Sequence, residues 1–354
     1  VLGAIGIQMG LSLSEMFAIV ILGNLAGAAI FGVFCTMGHR TGVPQLALSR
    51  LAFGRRGAYV PAVMMILMSM GWVATNTWIV LDLAVAALER MGITGGMGLK
   101  YALAVLLVAL QIGIAAWGFN AIKYFERYSM PLILAIMAIM TMTAFFGVDV
   151  HWNNATLTGI AKWSAMSQML TAIGIGWGLS WLIYASDCTR FTKTSLSGRQ
   201  VFKATFLGMF VPTAWLACLG AAIASSGVGA DPSQLIIATF GVMALPVLLV
   251  LLHGPIATNI VVIYSAALSA LALDVRQPRW MISLACGLGG AVILYLYLQS
   301  GDFANVFNSF MAVMVAWVGV WGGVTFADFY IVRGGRVNIS ELYTENPAHR
   351  YGVN

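Results

Sequence analysis

Charge is scarce in this chain. Asp, Glu, Lys and Arg make up 8% of its 354 residues, against about 25% in ordinary soluble domains. So few charges cannot cover a water-facing surface, which excludes a soluble globular protein. Histidine is sparse too, with four residues, and Cys35, Cys188, Cys218 and Cys286 stand singly. That spacing supports neither a zinc site of paired cysteines nor a disulfide framework. A zinc-protease His pair, a Gly-x-Ser-x-Gly elbow and a Cys/His array are all missing, which argues against a membrane-embedded enzyme. Repeated filter-like segments and rings of charge, the parts of a channel, are missing as well. The net charge of +6 does not point to nucleic acid, because the basic residues are not clustered with aromatics on a polar domain.

What the chain has instead is apolar length. Hydrophobic residues make up 60% and the mean hydropathy is +0.91. Uncharged runs at 16–35, at 201–223 apart from Lys203, and at 281–299 each approach the roughly 20 residues that cross a bilayer as a helix. Lipid offers backbone groups no partner, so such runs must be helices, and being apolar on every side they do not fit a barrel. The sequence therefore predicts an all-α, polytopic integral membrane protein. Half a helix is expected at 1–10, followed by spans near 14–36, 58–86, 100–118, 130–147, 167–186, 203–224, 242–273, 281–299 and 305–332. Residues 1–332 would form one transmembrane transport domain and 333–354 a polar cytoplasmic segment. The apolar start without a charged leader reads as a helix entered midway, hence as a fragment with its first half-helix missing.

Alternating the connections places Arg40, Arg50, Arg55, Arg56, Lys123, Arg127, Arg190, Lys193, Arg199, Lys203, Arg276, Arg279, Arg333, Arg336 and Arg350 on one side. Arg90, Lys100 and Lys162 fall on the other. Lys and Arg are retained in the cytoplasm during insertion, so the first side is cytoplasmic. The pI then needs no acidic partner beyond the membrane itself.

Glycines alternate at Gly174, Gly176 and Gly178, midway along one span, and recur at Gly3, Gly6 and Gly10 five spans earlier. Two readings stay open: unwound segments at matching places in an inverted repeat, where transporters bind solutes, or close helix packing. The intervening Trp177, Ser180 and Trp181 add an aromatic surface and a hydroxyl to that stretch.

Five motifs occur in order: GVPQLALSR at 42–50 with FGRRG at 53–57, GWVATNTW at 71–78, ASDCTRF at 185–191, ATNIVVIYSAALS at 257–269 and ADFYIVR at 327–333. Together they resemble the nucleobase:cation symporter family of cytosine, purine, hydantoin and allantoin permeases. The resemblance implies a LeuT-type fold of five-plus-five inverted helices. It implies a symporter that imports a planar nitrogen heterocycle with Na+ or H+. By the same resemblance Trp72 stacks on the substrate and Asn76 bonds its edge. Their i, i+4 spacing does put both on one helix face, and an amide offers both donor and acceptor. The second aromatic of the family, nine positions before Asp187, falls on Gly178, with Trp177 adjacent. Trp177, Gly178, Ser180, Trp181 and Asn259 complete the candidate substrate set. The family's two adjacent hydroxyls at a sodium site are here Ala257 and Thr258, so Thr258 with Gly254 and Ala257 forms the candidate cation set. No other metal and no organic cofactor is expected. A location in the bacterial inner membrane is the accompanying expectation.

Among the remaining polar residues, Asp82 is expected to be solvated or hydrogen-bonded and His253 to be a satisfied packing histidine. Asp187 with Arg190, and Asp328 with Arg333, are expected to pair or cap at cytoplasmic helix ends.

Overall fold

The computed structural model describes residues 2–147, 149–226 and 232–342. It is built of helices: α1 (Leu2–Gln8), α2 (Leu13–Thr41), α3 (Gln45–Gly57), α4 (Tyr59–Arg90), α5 (Gly96–Trp117) and α6 (Phe119–Phe146), then α7 (Gly159–Thr189), α8 (Gly198–Ser225), α9 (Ile236–Leu273), α10 (Arg279–Ser300) and α11 (Phe303–Val332). Among the described residues, nine of these are long and apolar enough to cross a membrane, all except α1 and the short connector α3. They correspond one to one with the nine spans read from hydropathy, though α6 and α7 start at 119 and 159 rather than near 130 and 167. Leu22, Val105, Leu106 and Val292 are exposed on their outer faces, as lipid-facing side chains must be.

The two halves begin alike. A short or interrupted helix, α1 or α7, is followed by a long one, α2 or α8, and each long helix opens with a capping box. In α2 the Ser12 hydroxyl accepts from Glu15 N–H while the Glu15 carboxylate takes Ser12 N–H; Ser197 and Gln200 do the same for α8. Each box satisfies two backbone donors that a helix start leaves free. α2 packs along α8, and α4 packs on α9 and α10.

Many of the basic residues assigned to one side by the sequence meet at one end of the bundle. Asp274 lies between Arg50 (2.8 Å), Arg55 (2.9 Å) and the Tyr59 hydroxyl (2.7 Å), and Arg333 pairs with Asp328 at 2.9 Å. Partial burial pushes the Asp274 carboxyl up, but the hydrogen bonds from Arg55, Tyr59 and Arg50 outweigh it and hold the group at about 2. At the opposite end Lys100 pairs with Asp82 at 2.7 Å, Lys162 with Glu15, and Arg90 donates to the Gly241 carbonyl. The charge asymmetry in the sequence thus corresponds to two real ends.

Of the pairing or capping expected at Asp187, capping is what forms: its carboxylate accepts Gln45 N–H at 2.9 Å at the start of α3, while Arg190 reaches the Tyr264 hydroxyl and lies 4.2 Å over Phe191. Next, α7 does not unwind at Gly174–Gly178. It runs as an α-helix to Met169, a π turn over Leu170–Gly174, an α-helical Ile175–Ser180 and a 3₁₀ turn over Leu182–Tyr184. The π turn takes in Gly174, and Gly176 and Gly178 lie in the α-helical stretch after it. A Cβ on Gly176 would strike the Thr171 carbonyl, five residues back, so the π turn itself requires glycine there. Gly178 is pressed against the backbone of Gly27 on α2, which is the close-packing reading. Finally, the start of the polar segment after residue 332 packs on the bundle. Leu342 is buried and its carbonyl accepts from Arg50 at 3.1 Å; residues 343–354 lie outside the described residues.

Candidate functional site

Halfway along α4, Trp72 and Asn76 sit one turn apart and both are buried. Trp72 is 2% exposed and held edge-on between two aromatic rings, Trp177 of α7 at 5.8 Å and Phe310 of α11 at 5.3 Å, with interplanar angles of 82° and 84°. Such T-shaped contacts place the positive edge of one ring on the negative face of another. Gly71 makes room, since a Cβ there would fall 2.5 Å from the Phe310 ring.

Beside these rings lies a cavity of about 360 Å³ between α4, α6, α7, α8 and α9, lined by Asn76, Trp177, Gly254 and Thr258 together with apolar side chains such as Met137 and Ile223. Small-molecule sites commonly have this size and this mixture of apolar wall and few polar groups. Four of the ten site residues named from the sequence are therefore brought to one cavity. Trp72 stands behind Trp177, covered by it.

The others lie elsewhere. Trp181 turns toward Tyr184 (5.4 Å, 63°), and Ser180 donates to the Trp177 carbonyl at 2.8 Å. Gly178 faces α2 rather than the cavity. Ala257 is buried. Of the aromatics offered for the second face, Trp177 is the one against Trp72. Asn259 is completely buried and belongs to a polar cluster: Asn76 Nδ2 donates to Asn259 Oδ1 (3.0 Å), and Asn259 Nδ2 lies within 3.0–3.1 Å of the Val73 carbonyl, the Thr77 hydroxyl and Gln111 Oε1. Thr77 and Gln111 escaped the sequence reading. A lone glutamine in the apolar run of α5 was the available signal, because a buried amide demands partners.

Two of the three cation candidates, Gly254 and Thr258, share one wall. Pro255 follows Gly254 in α9 and, lacking an N–H, cannot bond the Leu251 carbonyl one turn earlier. Leu251, Gly254, Pro255 and Thr258 all line the cavity. His253 points away, stacked on Phe125 at 4.7 Å with its Nε2 2.6 Å from Ser129 Oγ, a packing histidine as expected. Among the described residues no cluster of His, Cys, Asp or Glu could hold a metal ion.

A family model described as "Permease for cytosine/purines, uracil, thiamine, allantoin" matches residues 1–354. The chain belongs to this permease family. It is 23% identical over 355 residues to a putative purine-cytosine permease of Bacillus subtilis, an alignment covering 98% of this chain and 75% of that one. To a purine-uracil permease of Arabidopsis thaliana it is 22% identical over 370 residues, covering 98% and 60%. The chain thus spans between three fifths and three quarters of these relatives. Among solved structures, Mhp1, a nucleobase-cation-symport-1 family transporter in a closed conformation with bromovinylhydantoin bound, superposes with a TM-score of 0.77 at 20% identity, over all of this chain and 83% of that one. The permease's architecture is therefore the LeuT-type fold. It is a membrane-embedded transporter and not an enzyme.

Proposed function

We propose that the chain is the transport core of a secondary active symporter that imports a nucleobase or related planar nitrogen heterocycle together with Na+ or H+ by alternating access. One observation carries the reading: an aromatic pair, Trp72 and Trp177, adjoins an amide, Asn76, at the wall of a mid-bundle cavity. A flat heterocycle needs a stacking face and a few fixed hydrogen-bonding groups, and little else. Because Trp177 covers Trp72 in this arrangement, stacking on Trp72 requires the Trp177 ring to swing aside, which links binding to movement of α7 against α4.

For the coupling ion we assign Na+ to the wall formed by the Leu251 and Gly254 carbonyls and the Thr258 hydroxyl; hard cations take oxygen ligands. Ala257, buried beside Thr258, offers no side-chain oxygen. The orientation of the charges suits a plasma membrane, and a bacterial inner membrane is the location proposed.

Counterflow tests the reading. Liposomes holding the protein are preloaded with an unlabelled base and diluted into traces of labelled base. Transient accumulation of label is expected; simple equilibration would indicate a channel, and chemical conversion an enzyme.

A further inference from the structure

The contacts around Asn259 orient its amide and that of Asn76, while Gln111 Nε2 is left buried without a partner among the described residues. The orientation begins at the Val73 carbonyl, which can only accept. The Asn259 atom 3.1 Å from it must therefore be the amide nitrogen. That turns Asn259 Oδ1 toward α4, where it can only accept, so the Asn76 atom 3.0 Å away must in turn be nitrogen. Asn76 Oδ1 is the atom left over. Among the described residues it has no protein donor, and Asn76 lines the cavity. Gln111 locks the far side: its Oε1 accepts from Thr77 and from Asn259, and reversing it would set Nε2 against Asn259 Nδ2, donor to donor. Asn259, Thr77 and Gln111 are all fully buried, so water cannot substitute for any of these contacts.

We propose that Asn259 is a positioning residue, which holds the Asn76 amide with its oxygen toward the cavity and so makes the site select heterocycles that present an N–H donor at that edge. The selectivity would arise two residues away from the solute, on α9, and pass through a single amide whose polarity cannot reverse while Asn259 is present. A solute with a ring oxygen or lone pair at that edge meets an acceptor facing an acceptor. Sites built to bond a donor reject the analogue lacking it strongly, because their own polar atom is left unpaired. The inference rests on the proposed transport of a planar heterocycle, and it specifies which edge chemistry is read.

The test uses the protein in detergent. A thermal-shift screen of uracil, cytosine, hypoxanthine, hydantoin and allantoin selects a binder, and calorimetry compares it with isosteres in which one N–H at a time is replaced by oxygen. In the unmodified protein one replacement should weaken binding about tenfold or more. In Asn259→Leu the Asn76 amide is free to turn its nitrogen to the ring oxygen, so that ratio should shrink to within about threefold. A purely structural Asn259 predicts something else: lower thermal stability with the ratio intact, and that result overturns the positioning role while leaving heterocycle binding in place. If Asn259→Leu does not fold, the unmodified protein decides alone, since binding indifferent to every N–H replacement refutes the proposal. If none of the five bases shifts the melting temperature, the heterocycle reading falls and this inference falls with it.

Discussion

Replacing Trp72 separates two roles that the structure superimposes. The side chain is 2% exposed and touches both Trp177 and Phe310, so Trp72→Ala opens a cavity in a packed aromatic cluster. Truncating a buried tryptophan costs about 3–5 kcal/mol of stability. Loss of a stacking face costs a bound base a further ~1–3 kcal/mol, or about ten- to a hundredfold in affinity. The informative comparison is Trp72→Phe with Trp72→Leu, which are closer to each other in size and differ chiefly in the ring. Melting in detergent should show both destabilised to a similar extent, while calorimetry should show Trp72→Phe binding the solute at least about fivefold more tightly than Trp72→Leu. Equal affinity in two equally folded variants would refute stacking on this residue and leave Trp72 as packing alone.

Gly178→Ala should lower the melting temperature by the equivalent of about 1–3 kcal/mol, since α2 and α7 must part to admit a methyl group against Gly27; Gly113→Ala on α5, with nothing within 4 Å of the added carbon, is the control expected to be neutral or slightly stabilising. Asp274→Asn should loosen the cytoplasmic cluster of Arg50, Arg55 and Tyr59. Because the folded-state carboxyl is held at about 2 against an ordinary 3.8, its contribution is complete above about pH 4 and is lost as the pH falls toward 2, so melting scans of the parent should show a decline across that window which Asp274→Asn lacks. Thr258→Ala should weaken the dependence of uptake on sodium more than its dependence on solute; uptake that follows pH and ignores sodium would assign coupling to protons instead.

Much of the architecture was legible because a bilayer leaves a chain few choices. Nine apolar stretches place the spans, and the one-sided distribution of Lys and Arg separates two ends, at which the ion pairs of Asp274 and of Asp82 lie. What hydropathy cannot express is how a helix departs from regularity. The π turn before Gly176 and the 3₁₀ turn after Trp181 depend on backbone hydrogen bonds shifted by one residue, and glycine spacing signals only that something irregular is tolerated there. The site divides in the same way. Trp72, Asn76, Trp177 and Thr258 were reached through motif and helical spacing. Asn259 was named as a ligand contact, yet its amide is consumed by Val73, Thr77 and Gln111, partners on two other helices that no local pattern brings together.

Gradient-driven uptake puts the central claim to its most direct test. In liposomes holding the protein, a labelled heterocycle should accumulate above its external concentration when an inward Na+ or proton gradient is imposed, and only reach equilibrium when the gradient is collapsed. Uptake that is indifferent to both gradients, or absent for every heterocycle tested, would contradict the account.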